Sequence, residues 1–336
     1  MSGLKYALVF VCVLVAAFLS FVVAGRYALH APTAGNYVWP ERPAHATILF
    51  GGDMMFDRSI RTAIEEHARK QDGLPAEASA QAGDFIFSCI DSVLQGADLV
   101  VANLEGPITE HASVSATSTP GDEFNYTFTF PPATAELLYA HNIRVVNVGN
   151  NHILNFGRTG LASTLEFLHN ADVAYFGDPV HSGIAIGAIR GIPLEFINYN
   201  EFSAGGGSAS GGAAASTTIA QIQKARAGGY IPIVYTHWGI EYATTSSAYS
   251  RELAHSFVDA GAEIVVGSHP HVVEESEAYK GKHIYYSLGN FIFDQYFSED
   301  VQRGLLLQVT FGTGGVQTIK EIPIKLGHDR RTCAPV

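Results

Sequence analysis

From Ala46 onward the chain repeats one local pattern: a short apolar run stops at a polar turn rich in Gly or Asn, and helical periodicity often follows. The instances are "ATILFGGDMMFDR", "ADLVVANLEGPI", "IRVVNVGNNHILNFG", "IPIVYTHWGIEY", "AEIVVGSHPHVV" and "KHIYYSLGNFIF". Apolar runs of this length read as strands buried on both faces. Between them, "TGLASTLEFLHN" places Leu161, Leu165 and Leu168 on one helical face. "RELAHSFVDAG" does the same with Leu253, Ala254, Phe257 and Val258, and Gly261 is its stop signal. Strand–helix alternation at this spacing predicts an α/β core. Near the end, "RGLLLQVTF" and "VQTIKEIPIKL" flank "GTGG" and read as an antiparallel hairpin, so the sheets are expected to be mixed.

The chain has 336 residues, of which only 15% are charged. Part of that skew is local: Ala7 to Gly25 carries no charge, with Lys5 before it and Arg26 after it. A run of about 20 apolar residues spans a bilayer as a helix. No small-x-small cleavage site follows, so an uncleaved anchor is expected at 6–26 rather than a removable signal. The expected organisation is a tail (1–5), the anchor (6–26), a proline-bearing linker (27–44), one α/β domain (45–327) and a C-terminal tail (328–336). Within the domain, "AGGGSASGGAAAS" (204–216) reads as a flexible surface loop.

Three cysteines, Cys12, Cys89 and Cys333, make neither a disulfide framework nor a thiolate metal site. A net charge of −12 excludes a broad basic face and predicts no nucleic-acid partner. An anionic substrate would have to be attracted locally, by bound cations.

In open α/β sheets, ligands bind beyond the carboxyl ends of the strands. The polar residues collected there are Asp53, Asn103, Glu105, Asn150, Asn151, His152, His237, His269 and His271. Carboxylates, amides and imidazoles suit divalent Mn, Fe, Zn or Mg. Two ions bridged by a carboxylate, roughly 3.5–4 Å apart, fit so many candidates. His269 and His271, one residue apart after an apolar strand, point to the same face if the chain stays extended. No G-x-S-x-G nucleophile elbow is present, so metal-activated water is the expected nucleophile. His67, His141, His169 and His255 lie in helix-like or linking segments and read as surface or structural.

"GDMMFDR", "NLEGPIT", "GNNHILNFG", "HWGIEY", "GSHPHVV" and "YYSLGNFIFD", in this order, resemble the CapA family of poly-gamma-glutamate capsule synthesis proteins, a branch of the calcineurin-like metallophosphoesterases. The resemblance implies a four-layer α/β/β/α sandwich of two mixed β-sheets with a dinuclear site at the strand ends. It implies Asp53, Glu105 as bridge, Asn151, His237, His269 and His271 as metal ligands. It assigns His152 to the leaving group or substrate, Glu241 to an outer-sphere acid or general base, and Arg58 to an anionic substrate. The chain departs from the wider superfamily at Met55, where an Asp-x-His histidine is usual, and at Asn155, where an Asp commonly supports the His. Asp57 stands where a small or apolar residue is expected, and Ser268 where a bulkier one is. The implied function is a membrane-anchored hydrolase-like protein acting on a phosphoester or an anionic polymer, with capsule synthase or export proteins as partners. The alternative is a non-catalytic, metal-binding accessory subunit of the same complex.

Overall fold

The computed structural model describes residues 44–71, 80–181, 185–202 and 211–334. The expected anchor and linker lie outside them. Among the described residues, no helix is long and apolar enough to cross a membrane.

In chain order the first strands are β1 (Ala46–Met54), β2 (Leu99–Leu104), β3 (Ile143–Asn147), β4 (Ala174–Phe176), β5 (Ala185–Ile189), β6 (Ile192–Asn200) and β7 (Ile231–His237). They are followed by β8 (Ile264–Ser268), β9 (Ser276–Tyr279), β10 (Lys282–Tyr285), β11 (Asn290–Ile292), β12 (Arg303–Gly312), β13 (Gly315–Leu326) and β14 (Thr332–Cys333). One sheet has the order β14-β13-β12-β1-β2-β3-β4, with β11 beside the end of β1. The other has the order β5-β6-β7-β8-β10-β9. Both are mixed: β1 to β4 and β6-β7-β8-β10 run parallel, and the outer pairings are antiparallel.

Period-two alternation sorts each strand between two cores. Ile48, Phe50, Val101 and Leu307 of the first sheet pack against Leu194, Phe196, Ile233 and Val266 of the second, so the sheets lie face to face. The opposite residues, Leu49, Val100 and Val146, face Leu138, Leu161 and Leu168 of the helices Ala133–Ala140 and Gly157–Asn170. On the far side, Ile197, Val234 and Val265 meet Ile222, Leu253 and Phe257 of the helices Gly211–Ala227 and Ala248–Ala260. Each such fully buried side chain contributes roughly 1.5–3 kcal/mol of hydrophobic stabilisation. The layers are helix, sheet, sheet, helix.

Several polar links join the sheets, among them Asn198 Nδ2 to Asn147 Oδ1 (3.0 Å) and the Tyr285 hydroxyl to Glu321 (2.9 Å). The Tyr235 hydroxyl donates to the Gly51 carbonyl at 2.6 Å, in the interior near the strand ends. Before β8, Glu263 accepts from Val316 N of β13 at 2.9 Å, as well as from Arg226 (2.6 Å) and Lys282 (2.7 Å). Burial alone would raise the Glu263 pKa, but the hydrogen bonds from Lys282, Arg226 and Val316 hold it below the ordinary value. A depressed folded-state pKa gives stability that is full above the unfolded-chain value, near pH 4.5, and lost as pH falls through the folded value. Melting curves from pH 7 to pH 3 are expected to show this loss. Glu263→Gln should start less stable and show a shallower decline below pH 4.5 than the parent; equal slopes would refute the assignment.

Three expectations need correction. The loop at 204–216 is shorter than its composition suggests, because the helix Gly211–Ala227 takes in its last six residues. Ala213 to Ser216 supply the alanine-rich start that helices favour, and Ala215 is buried in the outer core. The terminal segment is no free tail, since β14 pairs with β13 at Lys325 and Leu326. Cys333 of that strand forms a disulfide with Cys89, with Cα atoms 4.8 Å apart across 244 residues of sequence.

Candidate metal centre

All the strand-end residues gather at one end of the sandwich, but they arrive from different sheets. The first sheet brings Asp53 on β1, Asn103 and Glu105 at the end of β2, and Asn150, Asn151 and His152 in the turn after β3. The second brings His237 at the end of β7, then His269 and His271 just past β8. Gly52 permits the close approach at the base of the site. A Cβ there would sit 1.8 Å from the Gly289 carbonyl oxygen, the same oxygen to which Asp53 N donates at 3.1 Å.

Two sets of ligand-type atoms lie within 4.8 Å of one another, Glu105–His237–His269 and Asp53–Glu105–His271, and all five residues are buried. Glu105 belongs to both. Its Oε1 lies 3.5 Å from His271 Nε2 and 4.0 Å from His152 Nε2. Asn151 Oδ1 is 2.8 Å from His237 Nε2, which places the amide beside the first set.

The hydrogen bonds around the rings fix where their lone pairs point. Asn290 Nδ2 donates to the carbonyls of His271 and Val301 and to Gln295 Oε1, so Asn290 Oδ1 accepts from His271 Nδ1 at 3.0 Å. That leaves His271 Nε2 as the free nitrogen, turned toward Glu105. Ser268 Oγ gives its hydrogen to the Thr236 carbonyl and accepts from His237 Nδ1 at 3.1 Å, leaving His237 Nε2 free beside Asn151 Oδ1 and His269 Nδ1. Asn155 Oδ1 accepts from Phe128 N and from His152 Nδ1, so His152 Nε2 also looks inward. Acceptor atoms thus face acceptor atoms across a buried space. Glu105 Oε1 has no hydrogen-bond partner at all. Unpaired buried acceptors are costly unless something positive lies among them. An oxygen and nitrogen donor set of this kind fits a divalent cation.

The electrostatics agree. Burial and the neighbouring Asp53 charge push the Glu105 carboxyl well above its ordinary pKa. Burial would raise Asp53 too, yet His271 with Nδ1 3.4 Å away, His237 and the donating Asn103 amide hold it low. Burial carries His237 down to about 3 and His152 down to about 4, and it lowers His269 as well. These imidazoles therefore stand neutral at pH 7, the form that can ligate a metal.

His269 and His271 do not converge by strand alternation. Their φ angles are 98° and 60°, left-handed values that cost of order 1–3 kcal/mol each for residues other than Gly. The strain is held by Asp53 Oδ2 accepting from His269 N (3.1 Å), by Tyr242 N donating to the Pro270 carbonyl (2.8 Å) and by Asn290 holding the His271 carbonyl. The effect is to separate the rings, with centroids 6.1 Å apart, so that each serves a different set.

Arg58 stands outside both sets. Its guanidinium pairs with Asp294 at 2.5 Å and packs over Phe128 and Phe293. Glu241 is exposed on the turn after β7, near enough for its charge to raise Glu105. Met55 is buried and accepts from Asp57 N through sulfur, so it supplies no hard ligand there. Asp57 is a tether, accepting from Arg58 N, Ser115 Oγ and Thr129 N. Residues not singled out from sequence include Asn290, which orients His271; Asp294, which takes the Arg58 charge; and Phe202, whose ring lies 4.1 Å from that of His269. "SLGNFIFD" carried Asn290 and Asp294 in plain sight, but nothing in the spacing distinguishes an orienting amide from a turn former.

Residues 47–295 match the family described as bacterial capsule synthesis protein PGA_cap. A PGA biosynthesis protein CapA of Bacillus subtilis (strain 168) is 28% identical over 298 residues, covering 85% of this chain and 73% of that one. A capsule biosynthesis protein CapA of Bacillus anthracis is 25% identical over 294 residues, covering 83% and 67%. A probable polyglutamine synthesis accessory protein of Mycobacterium tuberculosis (strain CDC 1551 / Oshkosh) is 22% identical over 344 aligned positions, covering 86% and 87%.

Proposed function

The chain belongs to the bacterial capsule synthesis protein PGA_cap family, and from that membership we propose that it serves capsule or poly-gamma-glutamate formation through a metal-dependent, hydrolase-type site. The observation that carries the reading is Glu105 Oε1: buried, without a donor, and shared by two sets of ligand atoms. Asp53, Glu105, Asn151, His237, His269 and His271 would hold two divalent ions. Such ions, when bound, supply Lewis-acid stabilisation and acidify a water for attack on a phosphoester or amide.

The rest is the work of the chain. Asn103 Nδ2 donates to Asp53 Oδ1 (2.8 Å) and Asn147 Nδ2 to Asn103 Oδ1 (3.0 Å), which fixes the carboxylate. His152, locked through Asn155, presents Nε2 on the Glu105 side, where it can contact a departing oxygen or nitrogen. The Phe202 ring packs against that of His269, beside one set. Because Arg58 is already paired with Asp294, attraction of an anionic group in this reading falls mainly to the ions.

The Cys89–Cys333 disulfide supports an extracytoplasmic setting for the domain, since disulfides persist in oxidising compartments. A second reading, a metal-binding accessory subunit without turnover, is favoured by the buried Met55 at a position where the superfamily places a ligand. Elemental analysis and turnover separate the two. The full chain loaded with Mn²⁺ is assayed on a generic phosphodiester and on poly-gamma-glutamate. Metal-dependent turnover that His271→Ala abolishes is expected; bound metal with no turnover on either substrate favours the accessory role.

A further inference from the structure

A cavity of about 510 Å³ opens beside the centre, between the helix Arg58–Gln71, the 115–126 segment and residues 294–297. It is separated from the strand ends by little more than one side chain. Arg58, at its edge, packs 5.2 Å from the Phe128 ring centroid, and Phe128 lies 4.4 Å from the His152 ring. Tyr242, on its wall, lies 6.1 Å from the ring of His271.

Its chemistry is neither basic nor greasy. Three aromatic rings line it while staying exposed: Tyr126 at 48%, Tyr242 at 40% and Phe297 at 67%. Among them stand hydroxyls whose hydrogens are already given to the protein. Ser59 donates to Asp294, Thr62 to the Arg58 carbonyl, Ser115 to Asp57 and Ser118 to the Ser115 carbonyl. What these hydroxyls offer a ligand is lone pairs. The formal charges cancel, with Arg58 and Arg330 against Asp294 and Glu66. Arg58 is paired with Asp294; Arg330 lies over the Tyr296 ring and donates Nη1 to the His328 carbonyl. An anionic chain would find unclaimed donors in the remaining N–H groups of Arg330, but would meet acceptors along the serine and threonine wall. A neutral molecule rich in hydroxyls would donate to those lone pairs and lay its C–H faces on the rings, the mixture of apolar walls and few placed polar groups that ligand pockets use.

We infer that this cavity binds a neutral sugar unit. The inference deepens the proposed function, and rests on it only in making that sugar part of the molecule handled at the strand ends. The test titrates the full chain, chelator-treated and Mn²⁺-loaded, with maltotriose, triacetylchitotriose and a γ-linked glutamate trimer, by saturation-transfer NMR and calorimetry. At least one trisaccharide is expected to bind, and Phe297→Ala and Tyr126→Ala, both exposed positions that leave the core intact, are each expected to weaken it about tenfold or more. His271→Ala is expected to keep sugar binding whatever it does to turnover, so failure of the catalytic reading is seen separately. The inference is overturned if neither trisaccharide binds, if sugar binding survives both rim substitutions, or if the glutamate trimer binds and the rim substitutions weaken it.

Discussion

Replacing Glu105 with glutamine is expected to raise the melting temperature of the chelator-treated protein while removing its response to divalent metal. The carboxylate is fully buried, one oxygen has no partner, and Asp53 stands beside it with like charge. Without a cation this is an uncompensated buried group, and such groups cost about 1–3 kcal/mol. Glutamine keeps the shape, removes the cost of either charging the buried carboxyl or protonating it, and can donate to Asp53. At roughly 2–4 °C per kcal/mol, the metal-free gain is a few degrees. With metal the sign reverses, because the residue common to both sets has lost its charge. Affinity should fall by more than about 100-fold, beyond the effect of losing an outer hydrogen-bonding partner. Asp57→Asn is the matched control. That carboxylate is as buried but accepts from three donors, so the same chemical change should destabilise the protein whether or not metal is present. Thermal melts with and without Mn²⁺, alongside elemental analysis, read both. A Glu105→Gln protein that loses stability without metal and still binds two ions would end the metal-centre assignment.

Cys333→Ser is expected to cost about 2–4 kcal/mol, the range found for native disulfides. The bond ties the last described strand to the turn at Cys89 across most of the domain's sequence, and the entropy removed from the unfolded chain grows with the span closed. The melting temperature should drop on the order of 5–10 °C. Cys89 is exposed, so a reductant can reach the bond. Dithiothreitol should lower the parent toward the variant and leave the variant unmoved. A parent indifferent to reductant would show that the bond contributes little.

The strands, the two amphipathic helices and the end of the sandwich that carries the site were legible because each is written locally. An apolar run stops at a polar turn, and the turn points beyond the sheet. What was not legible is what depends on distant partners. Two cysteines 244 residues apart give no local sign that they meet. The His269 and His271 geometry follows from left-handed backbone around Pro270, stabilised by Asp53 from the other sheet, whereas the dipeptide spacing alone suggests an extended chain. Arg58 looked available because its counter-charge, Asp294, lies far along the sequence. The helix beginning at Gly211 was hidden by the glycine-rich composition just before it.

Half of the proposed ligand residues ride on one sheet and half on the other, while Tyr235 and Glu263 help to bolt the two sheets together. The alignment of the sandwich is therefore itself a chemical variable. A substitution deep in the interface, at Phe196 or Ile233, that let one layer slip by a fraction of an ångström would leave each half intact and yet spoil their meeting. Its earliest symptom would be a weakened grip on the proposed cation, in a protein that still melts as a single cooperative body.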